Sequence, residues 1–208
     1  MPIYRIDRFE NGSLIAVWEM TETEKELLPL YSGSKQELQT VSNPFRRLEH
    51  LAVRIVLQQM LGTNININYR DNRSPYLQNH SAHISISHTK RFACVYYHPL
   101  SPVGIDIESL SRNFSAVTAK ALSEKEREYL LENQEIKQVC IIWCAKEAVF
   151  KLMNQSGIDF AKQIAVEKFK PEEKGKLAAI FTSKEGEITA LNLYYRIVDD
   201  HAMVWVEA

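Results

Sequence analysis

Gly104-Ile105-Asp106-Ile107-Glu108 places two carboxylates two residues apart in a segment that otherwise reads as a strand. Side chains alternate across a strand, so Asp106 and Glu108 share one face while Ile105 and Ile107 point to the other, into a core. Carboxylates about 7 Å apart on one face repel unless solvent or a cation separates them. The pattern alone is equally that of a solvated acidic edge. A second segment, Val139-Cys140-Ile141-Ile142-Trp143-Cys144-Ala145-Lys146-Glu147-Ala148-Val149-Phe150-Lys151-Leu152-Met153, has helical character and carries charge only at Lys146, Glu147 and Lys151. A helix apolar nearly all round is normally buried, and a buried charge is costly unless paired or bound to metal. Trp143, Glu147 and Lys151 recur every four residues and share a face. A plain Glu147–Lys151 ion pair explains two of the charges without any function. If instead Glu147 meets Asp106 and Glu108, three hard oxygen donors suit Mg2+ better than zinc. His80, His83 and His88 form a competing zinc set.

The elements that must position these groups are legible in outline. Segments 3–6 and 13–19 flank Asn11-Gly12, a hairpin signal. A short helix follows a capping box of Thr23 and Glu26. Asn43 caps a longer helix with Pro44 at its first position; Leu48, Leu51, Ala52, Ile55, Val56 and Leu61 recur helically before Gly62 stops it. Strands are expected near 65–69, 82–87 and 91–97, then at 103–108. Ser123 and Glu126 form another capping box, and a long helix is expected over 136–153. Strands near 163–169, 176–182, 187–198 and 202–207 close the chain. This irregular alternation implies an α+β fold with mainly antiparallel sheet. Pro99-Leu100-Ser101-Pro102 is the expected junction between two halves, 1–101 and 102–208. Each half holds a long helix and ends in a strand pair, 85–97 in the first and 192–206 in the second.

Composition narrows the function. The 208 residues are 45% apolar with seven Gly and seven Pro, enough for a sizeable core. A net charge of −1 supplies no global field for nucleic acid or an anionic membrane, so an anionic ligand must be caught locally. Cys140 and Cys144 sit one turn apart in an apolar segment, which with Cys94 fits reduced core thiols in a cytoplasmic protein. No signal pattern or uncharged membrane-length run is expected.

Gly104 to Glu108, Trp143-Cys144-Ala145-Lys146-Glu147-Ala148-Val149-Phe150-Lys151 and Ile84-Ser85-Ile86-Ser87-His88-Thr89 together resemble the 4′-phosphopantetheinyl transferase superfamily, in its long, surfactin-synthetase-activating type. The motifs are the family's acidic strand, its W-x-x-K-E-A-x-x-K helix and its S-H-S region, in order and spacing. The resemblance implies two similar α+β subdomains related by a pseudo-twofold axis, with coenzyme A and Mg2+ between them. It implies metal ligands at Asp106, Glu108 and Glu147, and phosphate contacts from Lys151 and His88 with Ser87 and Thr89 beside it. Lys146 falls on the motif's first lysine, and is carried over as a cofactor contact. Where the family often has Gly-Lys-Pro, this chain has Arg73-Ser74-Pro75; Arg73 is the candidate replacement for the lysine lost at Ser74. Thr89 keeps the hydroxyl of the family's final serine. Coenzyme A also carries a 3′-phosphate, and Arg47, His50 and Arg54 make a basic stripe on the second helix with Arg46 adjacent. A solvated helix face is the alternative reading of that stripe.

The implied reaction is attack by a serine hydroxyl of an apo acyl or peptidyl carrier protein on the β-phosphorus of coenzyme A, releasing 3′,5′-ADP. Glu147 would take the hydroxyl proton, and Lys151 and His88 would balance charge on the departing diphosphate. Two subdomains in one chain make a functional monomer the expectation. An inert coenzyme A-binding relative, a metal-dependent pyrophosphate hydrolase and an interaction module whose acidic strand is incidental are the rival readings.

Overall fold

Apolar alternation and helix caps resolve into eleven strands and six α-helices in a computed structural model that describes residues 3–33, 38–62, 66–130 and 135–208. The chain divides into two units, Met1–Ser101 and Pro102–Ala208.

In the first unit, β1 (Ile3–Arg8) and β2 (Leu14–Glu19) form the hairpin around Asn11-Gly12, with a register shift between Ile3 and Arg5. Strands β5 (His83–His88) and β6 (Phe92–His98) complete an antiparallel sheet of order β1-β2-β6-β5. Helix α1 (Glu24–Leu27) begins at the capping box of Thr23 and Glu26. Helix α2 (Pro44–Leu61) is capped by Asn43, whose side chain accepts from the backbone N–H groups of Phe45 and Arg46. It ends at Gly62 with φ +68°, a left-handed conformation in which glycine carries no Cβ penalty. The buried stripe of α2, from Leu51 to Met60, packs with Leu14, Ala16, Trp18, Ala93 and Val95. Strands β3 (Ile67–Tyr69) and β4 (Pro75–Leu77) make a separate ribbon. The expected strand at 65–69 thus starts later, and its residue 65 lies outside the described residues.

In the second unit, β7 (Val103–Ser109), β8 (Ile164–Val166), β9 (Lys174–Thr182), β10 (Ile188–Val198) and β11 (His201–Glu207) form one antiparallel sheet, ordered β7-β11-β10-β9-β8. Helices α3 (Ser115–Lys120) and α4 (Glu124–Glu128) follow β7; α3 was not anticipated, whereas α4 carries the expected Ser123–Glu126 capping box. The long helix α5 (Glu135–Met153) lies against β7 and β11, and short α6 (Phe160–Gln163) leads into β8. Both units are thus antiparallel sheet packed with a long helix, as the α+β expectation required.

Helix α5 reaches β7 closely because Gly104 has no side chain. A Cβ there would stand 1.9 Å from the carbonyl oxygen of Ala148. Two thiols on α5 bond to the sheet: Cys140 donates to the Glu108 carbonyl of β7 at 3.6 Å and Cys144 to the Ala202 carbonyl of β11 at 3.4 Å. Cys94, Cys140 and Cys144 are all buried thiols outside any disulfide, and burial pushes the Cys144 thiol up. Among the described residues, no helix is long and apolar enough to cross a membrane.

Candidate active site

Packing of α5 on β7 decides which charges meet. Ile105 and Ile107 are buried, and Asp106 is 7% exposed beside the half-buried Glu108. On α5, the half-buried face carries Trp143, Glu147 and Lys151, while Val139, Cys140, Ile142, Ala145 and Val149 are buried. The strand and helix motifs therefore adjoin through their charged sides. Lys151 Nζ donates to the Ile105 carbonyl at 2.8 Å and to Asp106 Oδ1 at 2.7 Å. Glu108 pairs with Arg112, whose guanidinium stands 5.3 Å from the centre of the Trp143 ring. Trp143 in turn packs against Phe160.

Glu147 reports the crowding. Its carboxyl is pushed up to about 7, first by burial and then by Asp106; Lys151 and Arg112 pull it down, and Glu108 pushes it up again. Three carboxylates thus act on one another across the β7–α5 contact, with only partial compensation by two cations. Among the described residues, no three His, Cys, Asp or Glu side chains are already gathered as a metal cluster. Asp106 is turned to Lys151 and Glu108 to Arg112 instead. The donor set nevertheless fits a hard divalent cation: all oxygen, with negative charge in excess, and a carboxyl whose raised proton affinity a cation would relieve. Neither His83 nor His88 joins a zinc set, and His80 uses Nδ1 to accept from the Ala82 N–H.

Residues 102–203 match the family described as ACPS, the 4′-phosphopantetheinyl transferase superfamily. The match covers both motifs of the site, the acidic strand and the tryptophan helix. Among solved structures, the chain is similar to the holo-[acyl-carrier-protein] synthase (AcpS) of Thermotoga maritima, at 20% identity and a TM-score of 0.42. The similarity spans 52% of this chain and 63% of that one. No curated protein matches.

Several residues expected to contact phosphates are instead engaged by groups of the protein itself. Lys146 is the clearest correction. It is 0% exposed, donates to the Phe160 and Ile164 carbonyls at 2.9 and 2.6 Å, and pairs with Glu126 at 2.7 Å. Five residues along a helix rotate a side chain by about 140°, so Lys146 enters the core while Lys151 stays on the open face. Arg54 is a second correction: it is buried in the first unit and donates to the Ile67 carbonyl. Arg47 ties α2 to Glu24 and to the Val41 and Ser42 carbonyls, and His50 packs edge-on to Tyr31. The Thr89 hydroxyl accepts from the N–H groups of Arg91 and Phe92, closing the β5–β6 turn. Ser87 is buried within β5. Arg73 has φ +65° in the turn between β3 and β4, where its N–H donates to the Arg70 carbonyl.

Arg46 and His88 remain together. Arg46 Nη1 is 3.2 Å from His88 Nε2, and both side chains are accessible. Sequence reasoning missed Arg112 and Glu49. Arg112 lies in the turn after strand β7, where no helical spacing marks it as the partner of Glu108, whereas Glu49 was findable as the residue three after Arg46 on a helix.

Proposed function

We propose that the protein transfers the 4′-phosphopantetheine group of coenzyme A to a serine of an apo acyl or peptidyl carrier protein, releasing 3′,5′-ADP. In this reading it is a member of the long type, in which one chain supplies both subdomains. The observation that carries the proposal is the meeting of the Asp106–Glu108 strand with the Glu147–Lys151 face of α5, inside the segment matching the superfamily.

Asp106, Glu108 and Glu147 are assigned as holders of a divalent cation, Mg2+ by its preference for carboxylate oxygens. Such an ion, when bound, polarises pyrophosphate oxygens. The chain's own groups do the rest. Glu147 is assigned as the acceptor of the proton of the carrier serine Oγ as that oxygen forms its bond to the β-phosphorus. The bond from phosphorus to the bridging oxygen breaks, and its electron pair leaves with 3′,5′-ADP. Lys151, a quarter exposed beside Asp106, supplies positive charge for the diphosphate oxygens. Arg46 and His88 are assigned to coenzyme A phosphates, and the buried thiols support a reducing, cytoplasmic setting.

The test is incubation with coenzyme A, Mg2+ and an apo carrier protein, followed by mass spectrometry of the carrier. Gain of one phosphopantetheine group supports the proposal. Free 4′-phosphopantetheine with an unmodified carrier would convert the reading to hydrolysis, and coenzyme A binding without either product to an inert relative.

A further inference from the structure

Glu49 lies one turn after Arg46 on α2, and its side chain is only 7% exposed. A carboxylate that deep is costly unless both oxygens are satisfied. Oε1 is 3.0 Å from His88 Nδ1, and Oε2 accepts from Arg46 Nη1 at 2.9 Å. The triangle closes through Arg46 Nη1 and His88 Nε2 at 3.2 Å. Burial pushes the Glu49 carboxyl up, but the hydrogen bond from His88, and then the hydrogen bond and charge of Arg46, outweigh it and hold the group below the usual carboxylate range. It is therefore a carboxylate at neutral pH, an acceptor at both oxygens.

An acceptor facing Nδ1 places the ring proton there, because the partner of one imidazole nitrogen sets the tautomer of the whole ring. Nε2, then unprotonated, accepts from Arg46 Nη1, and the other N–H groups of the guanidinium are left to face a ligand. We infer that Glu49 is a positioning residue that fixes the ring of His88 and, through Glu49 Oε2 and His88 Nε2 together, the fork of Arg46, whose remaining N–H groups are preset for an anionic phosphate. The inference rests on the assignment of His88 and Arg46 to coenzyme A phosphates, and adds a residue that neither motif contains. The plain alternative is a staple: Glu49 joins α2 to β5, two elements 42 residues apart at Arg46 and His88. A staple lowers stability when cut, with no selective effect on phosphate binding.

Glu49→Gln separates the two, because an amide is nearly isosteric but cannot accept at both ends. The full chain is titrated calorimetrically with 3′,5′-ADP and with coenzyme A, as wild type, E49Q, E49D, H88A and E49Q/H88A. Expected is a roughly tenfold weaker binding in folded E49Q, the scale of a lost charged hydrogen bond. E49D recovers part of it, and the same substitution costs less than about twofold once His88 is absent. In turnover, E49Q raises KM for coenzyme A about tenfold and changes kcat less than about threefold. Nitrogen-15 NMR of the His88 ring finds Nδ1–H in wild type and a tautomer mixture in E49Q.

Unchanged affinity in folded E49Q would overturn the inference, as would an equal loss with and without His88, or no ligand binding by wild type. Failure of the transferase reading is recognised separately. Glu49-dependent binding of 3′,5′-ADP by a wild type that modifies no carrier keeps this inference and removes that reading. Carrier modification by wild type, with E49Q binding coenzyme A as tightly, does the reverse.

Discussion

Replacing Glu147 with Gln removes a charge that the folded chain holds at a cost. The Glu147 carboxyl stands at about 7 against an ordinary 4.5, chiefly through burial and then through Asp106. The difference, about 2.5 units, corresponds to a ceiling of about 3 kcal/mol at 1.36 kcal/mol per unit. Glu147 is only half-buried, so solvent screening reduces this to about 2 kcal/mol. The folded-state value lies above the unfolded one. Between 4.5 and about 7 the folded chain therefore binds more protons than the unfolded chain, and stability falls as pH rises. The favourable contribution is complete below 4.5 and gone above about 7. Glu147→Gln carries no such dependence. In metal-free buffer the variant should gain little over wild type at about pH 5 and about 2 kcal/mol more than that at about pH 8. That is roughly 5–15 °C in Tm, depending on whether the two units melt apart or together.

Urea and thermal melts of both proteins at the two pH values, with chelator present, measure the effect. A cation would relieve the same crowding, so Mg2+ at about pH 8 should raise the Tm of wild type and raise that of E147Q by less. A gain of equal size at both pH values, or a variant less stable than wild type at pH 8, would refute the account of three mutually repelling carboxylates. It would also remove the argument that these oxygens suit a cation. The readout needs no carrier and no turnover.

Gly104→Ala drives a methyl into the backbone of α5, 1.9 Å from the Ala148 oxygen and 2.8 Å from its carbon. Backbone cannot yield as a flexible side chain can, so a loss of about 2–4 kcal/mol is expected in urea melts. A change under about 0.5 kcal/mol would show the strand–helix contact to be looser than described. Lys146→Met strands the Glu126 carboxylate and two carbonyls in the core and should cost about 3–5 kcal/mol. Its KM for coenzyme A should remain that of wild type where the variant is folded. A stable K146M with a raised KM would restore Lys146 to the phosphate site.

Signals carried within a few residues were the ones legible in advance. The caps at Thr23, Asn43 and Ser123, and the stop at Gly62, are local hydrogen-bond chemistry, and each is found where the sequence pattern puts it. The alternation of Gly104 to Glu108 and the four-residue recurrence of Trp143, Glu147 and Lys151 are equally local, and they define the site's two faces. What stayed illegible depends on partners far along the chain. Glu126 reads as a capping-box residue and nothing more, yet its Oε1 accepts from the Val166 N–H, its Oε2 from the Ser123 N–H, and it pairs with Lys146. Those contacts span up to 40 residues. Helical geometry did hold one warning, since Lys146 falls about 100° away from Glu147 around the helix. A motif that names two lysines does not say which one faces outward. The two are separated by the kind of partner each has. Lys146 is enclosed by two backbone carbonyls and one carboxylate, a set complete in itself. Lys151 shares its neighbourhood with Glu147, a carboxyl so incompletely balanced that it holds its proton to about 7. Charge left unbalanced beside other charges is what a ligand can act on, and in the second unit the β7–α5 face holds it.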